Sequence, residues 1–237
     1  MPTESAGVGA GPQIGLYPVG NAGVAGLFAA VFTHGVIAQN AQASDRQRAQ
    51  SAADAVLEPY ISSLTAWTSG VLWASTTSLL TSRTGIRHDA GGDATVHASP
   101  TFSLALDETF LILDAQIKIV KNNKVTEELV RVVSSPLVAP NAREYWAAND
   151  ASNLKSTAAA MFAQAIIYVN QLNANADSDL NPMKTQRYLL GANERVERSR
   201  RVSSECGRLL LRTLRGTLMS VPVAIESTEN CQRQSSF

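Results

Sequence analysis

The sequence LILDAQIKIVKNNKVTEELVRVVSSP, residues 111–136, carries the clearest fold signal in this chain of 237 residues. Apolar and polar residues nearly alternate along Leu113–Lys121, which is typical of an antiparallel strand with one wet face. A second β-rich run, Val125–Ser134, follows a polar turn at Lys121–Lys124, whose two asparagines tolerate a left-handed backbone. The pattern therefore predicts a β-hairpin that ends before Pro136, because proline cannot donate to a strand ladder.

A long amphipathic helix is predicted after this hairpin. Asp150 or Ser152 can cap its first turn. The apolar residues that follow recur at helical spacing, and they are Leu154, Ala158, Met161, Phe162, Ala165, Ile166, Val169 and Leu172. Such a helix would cover one face of the hairpin. We therefore expect an α/β fold, with α+β as the alternative, in which N-terminal helices and a covering helix pack on one face of a mainly antiparallel sheet.

The N-terminal region has an unusual composition, because no charged residue stands between Glu4 and Asp45. Residues 1–15 are rich in Gly, Ala and Pro, which predicts a flexible lead-in. The apolar run Ala22–Ala38 is slightly short for a transmembrane helix and lacks a basic flank, so we expect a buried or partner-packed helix. Its closely spaced glycines make Gly20–Ala38 a candidate for self-association, and membrane proximity stays an alternative.

Residues 16–225 are predicted to form one domain, with a helical part at 16–84, a sheet with its covering helices at 95–223, and a polar tail at 226–237. Pro59 should start a new helical turn. The residues after it, Tyr60, Leu64, Trp67 and Val71, have helical spacing and predict a buried stripe on a helix that ends before Gly85.

The stretch Ile86–Pro100 is predicted to be a loop, and it holds the densest set of potential metal ligands: His88, Asp89, Asp93 and His97. Imidazole and carboxylate groups together can bind zinc or another divalent ion. Their spacing matches no known motif, so we predict a solvated turn without a metal. A metal-dependent hydrolase built on these four residues remains an alternative function.

The C-terminal third is predicted to contain a strand at Lys184–Leu190, a turn at Gly191, a helix at Asn193–Gly216 and a strand at Thr217–Val223. Asparagine, acidic residues and glycine stand where a helix prefers them at its cap, first turn and end. Gly207 and several serines weaken this helix, so a strand at Arg208–Leu214 is the alternative.

Positive charge is concentrated in this third. The chain is neutral overall, with 20 basic and 20 acidic residues, yet residues 184–215 hold nine Lys or Arg against three Glu. A basic helix can bind phosphate-rich partners. No aromatic residues interleave the arginines, so a solvated face is the favoured interpretation and no nucleic-acid partner is predicted.

Catalytic and cofactor motifs are absent from the sequence, so we predict no catalytic and no cofactor-binding residues. Asp107–Glu108 is a carboxylate pair between two strands, and such pairs usually belong to turns. Cys206 and Cys231 are the two cysteines, which fits one disulfide in an oxidising compartment. The alternative is a buried, inert Cys206 with a free thiol at Cys231.

Several short strings resemble uncharacterised periplasmic lipoproteins of Gram-negative bacteria. They are Ala53-Asp54, Leu57-Glu58-Pro59-Tyr60, Ser134-Ser135-Pro136, Tyr145-Trp146, Asn149-Asp150, Arg212-Thr213-Leu214-Arg215-Gly216 and Ser220-Val221-Pro222. The sequence departs from that pattern because no leader and no lipid-bearing cysteine stand at its start.

The resemblance implies a small α/β domain that serves envelope assembly or transport without catalytic residues. The leading functional hypothesis is therefore a non-catalytic module of the periplasm or cell envelope, which binds an envelope protein or polymer. An immunity-type protein that neutralises a toxin by surface binding is the second hypothesis, and the metal-dependent hydrolase is the third.

Overall fold

The computed structural model describes residues 28–31, 51, 54–84, 94–121, 124–174, 181–205 and 207–224. Residues 54–57 are helical and lead into a short 3₁₀ turn at Glu58–Tyr60, which is followed by α1 (Ile61–Thr65), α2 (Ser69–Thr84) and α3 (Ala142–Ala174). The strands are β1 (Phe28–Val31), β2 (Ala94–Ala105), β3 (Leu111–Lys121), β4 (Lys124–Val133), β5 (Met183–Leu190), β6 (Asn193–Glu205), β7 (Arg208–Thr213) and β8 (Leu218–Pro222).

The eight strands form one sheet in the order β1-β2-β3-β4-β8-β7-β6-β5. β2–β4 make one antiparallel meander and β5–β8 make a second. The two meanders meet where β4 pairs in parallel with β8, and β1 adds to β2 in parallel at the edge. The predicted fold class is confirmed, because the sheet is mainly antiparallel and the helices pack on one of its faces.

The first sheet face is buried beneath α3, and the predicted hairpin supplies its centre. Leu113, Ala115 and Ile117 of β3 are at most 1% exposed, whereas Gln116 and Lys118 between them are exposed. The buried residues share one core with the predicted apolar stripe of α3, and α2 packs on α3 from outside. Each large side chain buried in this way stabilises the fold by about 1.5–3 kcal/mol.

A smaller core lies on the opposite sheet face, where the sheet folds back on itself. Ile112 and Val133 of the first meander pack there with Leu211 and Met219 of the second, and Tyr188 and Leu190 of β5 pack against them. The turn between β5 and β6 reaches the turn between β2 and β3, so that Gly191 lies against the ring of Phe110. The β5–β6 hairpin therefore closes over the inner side of β3 and β4.

Helix α3 contains a break that the sequence pattern did not indicate. Asn149, Asp150 and Ala151 have left-handed backbone angles, and the helix resumes after them. Asparagine and aspartate adopt this conformation more readily than other non-glycine residues. The long helical run that follows agrees with the prediction from Asp150 or Ser152 onward, while the first helical turns from Ala142 were missed.

Two predictions for the N-terminal half are wrong. Phe28–Val31 lies within the predicted helix Ala22–Ala38, but it is a strand that pairs with Phe102–Ala105. The predicted loop Ile86–Pro100 is a strand from Ala94 onward, because Val96 and Ala98 pack against the main core. His97 and Ser99 alternate with them and are exposed. The loop was predicted because these polar residues made the segment resemble a solvated turn, whereas it is a half-buried strand.

The predicted buried stripe holds for Tyr60, Leu64 and Trp67, which are at most 5% exposed, but not for Val71, which is 48% exposed. The helix is interrupted after Thr65 and restarts at Ser69, where the Thr68 hydroxyl accepts a hydrogen bond from the Val71 amide. This break shifts the buried face of the helix by one residue, so that Leu72 is buried in the core where Val71 was predicted to be.

The predicted helix Asn193–Gly216 is also wrong, since these residues form the β6–β7 hairpin. The alternative for Arg208–Leu214 is confirmed, because β7 covers Arg208–Thr213. The strands predicted at Lys184–Leu190 and Thr217–Val223 are confirmed as β5 and β8. Cross-strand pairing outweighed the helical capping pattern, as tertiary context often does.

The closing contact at Gly191 gives a stability test. An added Cβ would lie 2.9 Å from the Phe110 ring at a backbone φ of +62°. We predict that Gly191→Ala lowers the free energy of unfolding by about 3 kcal/mol, from backbone strain and overpacking together. Urea denaturation measures this difference.

Gly216→Ala is the matched control, because φ is +82° there but no atom lies within 4 Å of the added Cβ. It should cost about 1 kcal/mol, from backbone strain alone. Equal losses in the two variants would contradict the close packing of the β5–β6 turn against Phe110.

Candidate functional site

Glu108 is the buried carboxylate of the described chain that gathers the most partners. It lies in the turn between β2 and β3, and its side chain is 7% exposed. Arg143 donates to Glu108 Oε1 from Nε at 2.9 Å and from Nη2 at 2.7 Å, and the Tyr60 hydroxyl donates to Oε2. The indole of Trp146 donates to the Glu108 carbonyl oxygen at 2.6 Å. One turn residue thus connects the sheet to both helical segments.

The hydrogen bonds of this cluster hold the helices to the β2–β3 turn, and we call it the Glu108 clamp. Burial and the neighbouring Glu108 carboxylate raise the pKa of the Tyr60 hydroxyl above its usual value. The hydrogen bonds from Arg143 to Glu108 raise the pKa of that guanidinium. The Tyr60 hydroxyl and the Arg143 guanidinium therefore both keep their protons and donate to the Glu108 side chain, and neither is primed to transfer a proton. We assign the Glu108 clamp to the stability of the fold.

The basic residues of the last third occupy both faces of β5–β7. On the side of the sheet that carries α3, register places Arg198 and Arg200 of β6 beside Arg187 of β5 and Arg212 of β7. We call these four residues the arginine face. Arg212 pairs with Leu218, which lies in the core beneath α3 and so fixes the side.

Part of this positive charge is already paired. Arg212 makes two hydrogen bonds to the Glu128 carboxylate, at 2.9 and 3.1 Å, and Arg187 pairs with Glu194. Arg208, deeper on the same side, donates to the Val133 carbonyl at 2.6 Å and to Ser220, and burial lowers its pKa. Arg208 therefore joins β7 to β4 and β8, and does not contribute to the outer surface.

The outer part of the arginine face is open. Arg187 is 73% exposed, and Arg198 is exposed and makes no ion pair among the described residues. Val196 precedes Arg198 by two residues on β6, so it lies on the same side, and it is 57% exposed. Because α3 packs mainly on β3 and β4, this part of the sheet presents guanidinium groups with an apolar neighbour to the surroundings.

A second polar group lies inside the folded sheet. Arg131 of β4 donates to both oxygens of Asp114 on β3, at 2.7 and 2.8 Å. The Tyr188 hydroxyl of β5 donates to Glu197 of β6 at 3.3 Å. We call Asp114, Arg131, Tyr188 and Glu197 the inner polar cluster.

Electrostatics couples the two halves of this cluster across the fold. Hydrogen bonding to Asp114 raises the pKa of the Arg131 guanidinium, and the Tyr188 and Glu197 side chains add to that effect. Burial, and then the Glu197 carboxylate, raise the pKa of Tyr188 to about 12. Sequence reasoning missed this cluster; an aspartate and an arginine inside two β-rich runs were the available signal.

The metal ligands considered in the sequence are not brought together in the described chain. His97 is exposed on β2, opposite Lys118, while His88, Asp89 and Asp93 lie outside the described residues. No group of three potential ligands occurs among the residues that are described. Cys206, Cys231 and most of Gly20–Ala38 also lie outside them, so the disulfide and the self-association stay predictions.

Comparison with protein-family models, curated proteins and solved structures finds no match to this chain. Within the described ranges, no helix combines the length and apolar character that crossing a bilayer requires. The case for function therefore depends on the surfaces described above.

The clamp assignment predicts that Glu108→Gln lowers the free energy of unfolding by about 2 kcal/mol, because the amide cannot accept all the bonds from Arg143 and Tyr60. Chemical denaturation measures the loss. Glu144→Gln, which changes an exposed carboxylate next to Arg143 on α3, should alter stability by less than about 0.5 kcal/mol. Equal effects of the two substitutions would contradict the clamp.

The raised pKa of Tyr188 predicts a loss of stability in alkali. An unfolded tyrosine ionises near pH 10, whereas Tyr188 in the folded chain ionises near 12, so its contribution is complete below pH 10 and is lost as pH rises to 12. Between pH 9.5 and 11.5, the free energy of unfolding of Tyr188→Phe should fall by about 1 kcal/mol less than that of the parent protein, because solvent screens this half-buried hydroxyl. Identical pH profiles of unfolding would contradict the buried position of this hydroxyl.

Proposed function

We propose that this protein is a non-catalytic binding module of the cell envelope, and that its arginine face receives a polymer that carries carboxylate or phosphate groups. The observation that carries the proposal is the open position of Arg187 and Arg198 on a part of the sheet that the helices leave uncovered. The other exposed basic side chains on β2–β4, such as the register partners Lys121 and Lys124, are not arginines.

Charge distribution supports an anionic partner. Nine of the 20 basic residues of the chain fall within residues 184–215, and eight of those nine are arginines. Guanidinium groups bind planar oxyanions through two parallel hydrogen bonds, which lysine cannot do. A surface with this excess charge raises the local concentration of an acidic polymer and speeds its association.

The arginine face is better suited to binding the repeated charged groups of a polymer than to recognising nucleobases. Tyr188 is the sole aromatic residue of β5–β7, and it points to the inner side of the sheet. Without an aromatic platform on the arginine face, base stacking would contribute little to binding. Repeated carboxylates or phosphates along a polymer match side chains on adjacent strands, which are spaced about 5 Å apart.

The envelope location in this proposal is supported by the resemblance of the short sequence strings to periplasmic lipoproteins. The binding role is supported by the exposed guanidinium groups of Arg187 and Arg198 on adjacent strands. Under the immunity-type hypothesis, the arginine face would bind an acidic toxin protein. The extended, open shape of the face favours a polymer.

The double variant Arg187→Gln/Arg198→Gln tests the proposal. Both side chains are exposed, so the fold should be retained, and each lost charge contact is worth about 0.5–0.7 kcal/mol. We therefore predict about five- to tenfold weaker binding of fluorescein-labelled poly-L-glutamate and of labelled polyphosphate, measured by anisotropy at low salt. The preferred polymer of the two identifies the oxyanion.

Lys118→Gln/Lys121→Gln is the matched control, because it removes the same charge from exposed positions on β3. It should leave the affinity within about twofold of the parent. Equal losses in both double variants would show a nonspecific charge effect and contradict the arginine face. Failure of the parent protein to bind either polymer would contradict the proposal itself.

A further inference from the structure

The second meander ends the sheet with an edge strand. β5 is the last strand in the sheet order. In the part of the chain that the structure describes, no backbone hydrogen bond outside the strand ladders involves Met183–Arg187. The last residues of β5 pack on the smaller core through Tyr188 and Leu190, whereas Lys184 and Thr185 are exposed. The first half of β5 is therefore an accessible edge.

The β5–β6 turn determines which backbone groups face this edge. Leu190 and Asn193 close a two-residue turn, and its first residue, Gly191, has a φ of +62°, as glycine does at this position of a type II′ turn. The backbone groups of such a closing pair point at each other, and the direction alternates along the strand. Thr185 and Arg187 are an odd number of residues from Leu190, so their N–H and C=O groups point away from β6.

A side-chain contact agrees with this direction. The Asn181 side chain donates to the Arg201 carbonyl at 2.9 Å, next to the last β5–β6 pair, so this carbonyl points to the β5 side. Ser199 lies two residues earlier on β6 and turns its backbone groups the same way, to its register partner Lys184. Thr185, the next residue of β5, therefore directs its own backbone groups to the free edge.

The residues that face the free edge also carry the arginine face. Arg187 is one of its four members, and Thr185 lies opposite Arg198 in the register. An antiparallel strand that paired with β5 would place every second side chain beside Arg187 and on the same side as Arg198. Hydrogen bonds to the main chain and contacts with the guanidinium groups would then come from the same residues of the partner.

The charges along this edge favour an acidic strand. β5 carries Lys184 and Arg187 and no acidic residue. On the side of the arginine face, Arg198 and Arg200 of β6 add to this charge, against Glu194. The Arg187–Glu194 pair is more than half exposed on both sides, and a guanidinium has five N–H donors, so a second carboxylate can share or replace it. A second copy of β5 would instead bring like charges together.

We infer, on the basis of the proposed function, that the polymer received by the arginine face is an extended polypeptide with acidic residues at alternate positions. It pairs with the free edge of β5 as an antiparallel ninth strand of the sheet. Main-chain hydrogen bonds to Thr185 and Arg187 supply affinity, and carboxylates beside the arginines supply selectivity. Such pairing needs no cavity, because an edge strand presents its backbone groups at the surface.

Fluorescein-labelled peptides of alternating glutamate and threonine, about as long as β5, test the inference on the full chain. In an antiparallel ninth strand, the residues whose side chains lie on the arginine face are those whose N–H groups bond to β5. N-methylation of the glutamates therefore removes these hydrogen bonds or, after a one-residue shift, the charge contacts, and should weaken binding at least about tenfold in anisotropy titrations. N-methylation of the threonines, the control with identical charge, should leave the affinity within about twofold of the unmodified peptide.

Thr185→Pro tests the same contact from the protein side. Proline is tolerated on an edge strand where the missing N–H faces outward, so the melting temperature should be retained while peptide affinity falls at least about fivefold. Thr185→Ala removes the side chain alone and should bind within about twofold of the parent. Gln186→Pro removes a hydrogen bond to β6 and should lower the melting temperature. An equal loss of melting temperature in Thr185→Pro would place its N–H within the ladder and contradict the inference.

The other outcomes separate this inference from the proposed function. Equal affinities of the two methylated peptides, both weakened by Arg187→Gln/Arg198→Gln, would contradict strand pairing and support the arginine face. Greater sensitivity to threonine methylation would contradict the antiparallel arrangement. Binding of polyphosphate without binding of the peptide would support the arginine face and exclude a polypeptide partner. Self-association of the full chain in light scattering, lost in Thr185→Pro, would assign the edge to a second copy and overturn the inference.

Discussion

The parallel pairing of β4 with β8 is the constraint on which the rest of the structure depends. It joins Val130–Val132 to Leu218–Ser220 and so fuses two antiparallel meanders into one sheet. A parallel pair cannot be closed by a tight turn, so the chain crosses the sheet through α3 before it forms β5–β7. The helix can then cover β3 and β4, and its Tyr168 hydroxyl reaches Ser220 of β8. Arg208 strengthens the same junction through Val133 and Ser220.

The uneven coverage of the sheet produces the surfaces to which we assign function. Beneath α3 the sheet is apolar, and the Glu108 clamp locks the helices to the β2–β3 turn. Beyond β8 the described residues include no helix that offers an apolar surface to pack against, and arginines replace aliphatic residues on the same side. The second meander buries its apolar residues on the opposite side by folding back, with Gly191 against Phe110. One face thus becomes cationic and open, while the other carries the inner polar cluster beside a small apolar core.

The sequence predicted what local patterns determine. Alternation at Leu113–Lys121 and helical spacing from Leu154 to Leu172 gave the central hairpin and its covering helix, because both elements pack on the main core. The helix predicted at Asn193–Gly216 does not form. Its capping residues and ion-pair spacing favour a helix locally, but pairing with β5 and β8, which depends on distant parts of the chain, makes it a hairpin. The Phe28–Val31 strand was missed for the same reason, since its partner lies some 70 residues away.

The candidate sites were less predictable than the fold. The charge excess at residues 184–215 was evident from sequence, yet a helix would have distributed it around a cylinder, and strands divide it between two faces. Glu108 was expected to be an ordinary turn residue, because nothing local indicates that Arg143 and Tyr60 converge on it. The inner polar cluster depends on contacts between β3–β4 and β5–β6, which arise when the sheet folds back and leave no periodic signal.

Amide NMR of the labelled protein during titration with poly-L-glutamate tests the central claim most directly, because it locates the polymer without any substitution. The arrangement of the sheet predicts progressive shifts at the outer positions of β5 and β6, centred on Arg187 and Arg198, with β2, β3 and the Glu108 turn unchanged. Shifts that are centred on β2 and β3 or on the helices, or that are spread evenly over all exposed basic residues, would contradict the claim that the uncovered arginine face receives the partner.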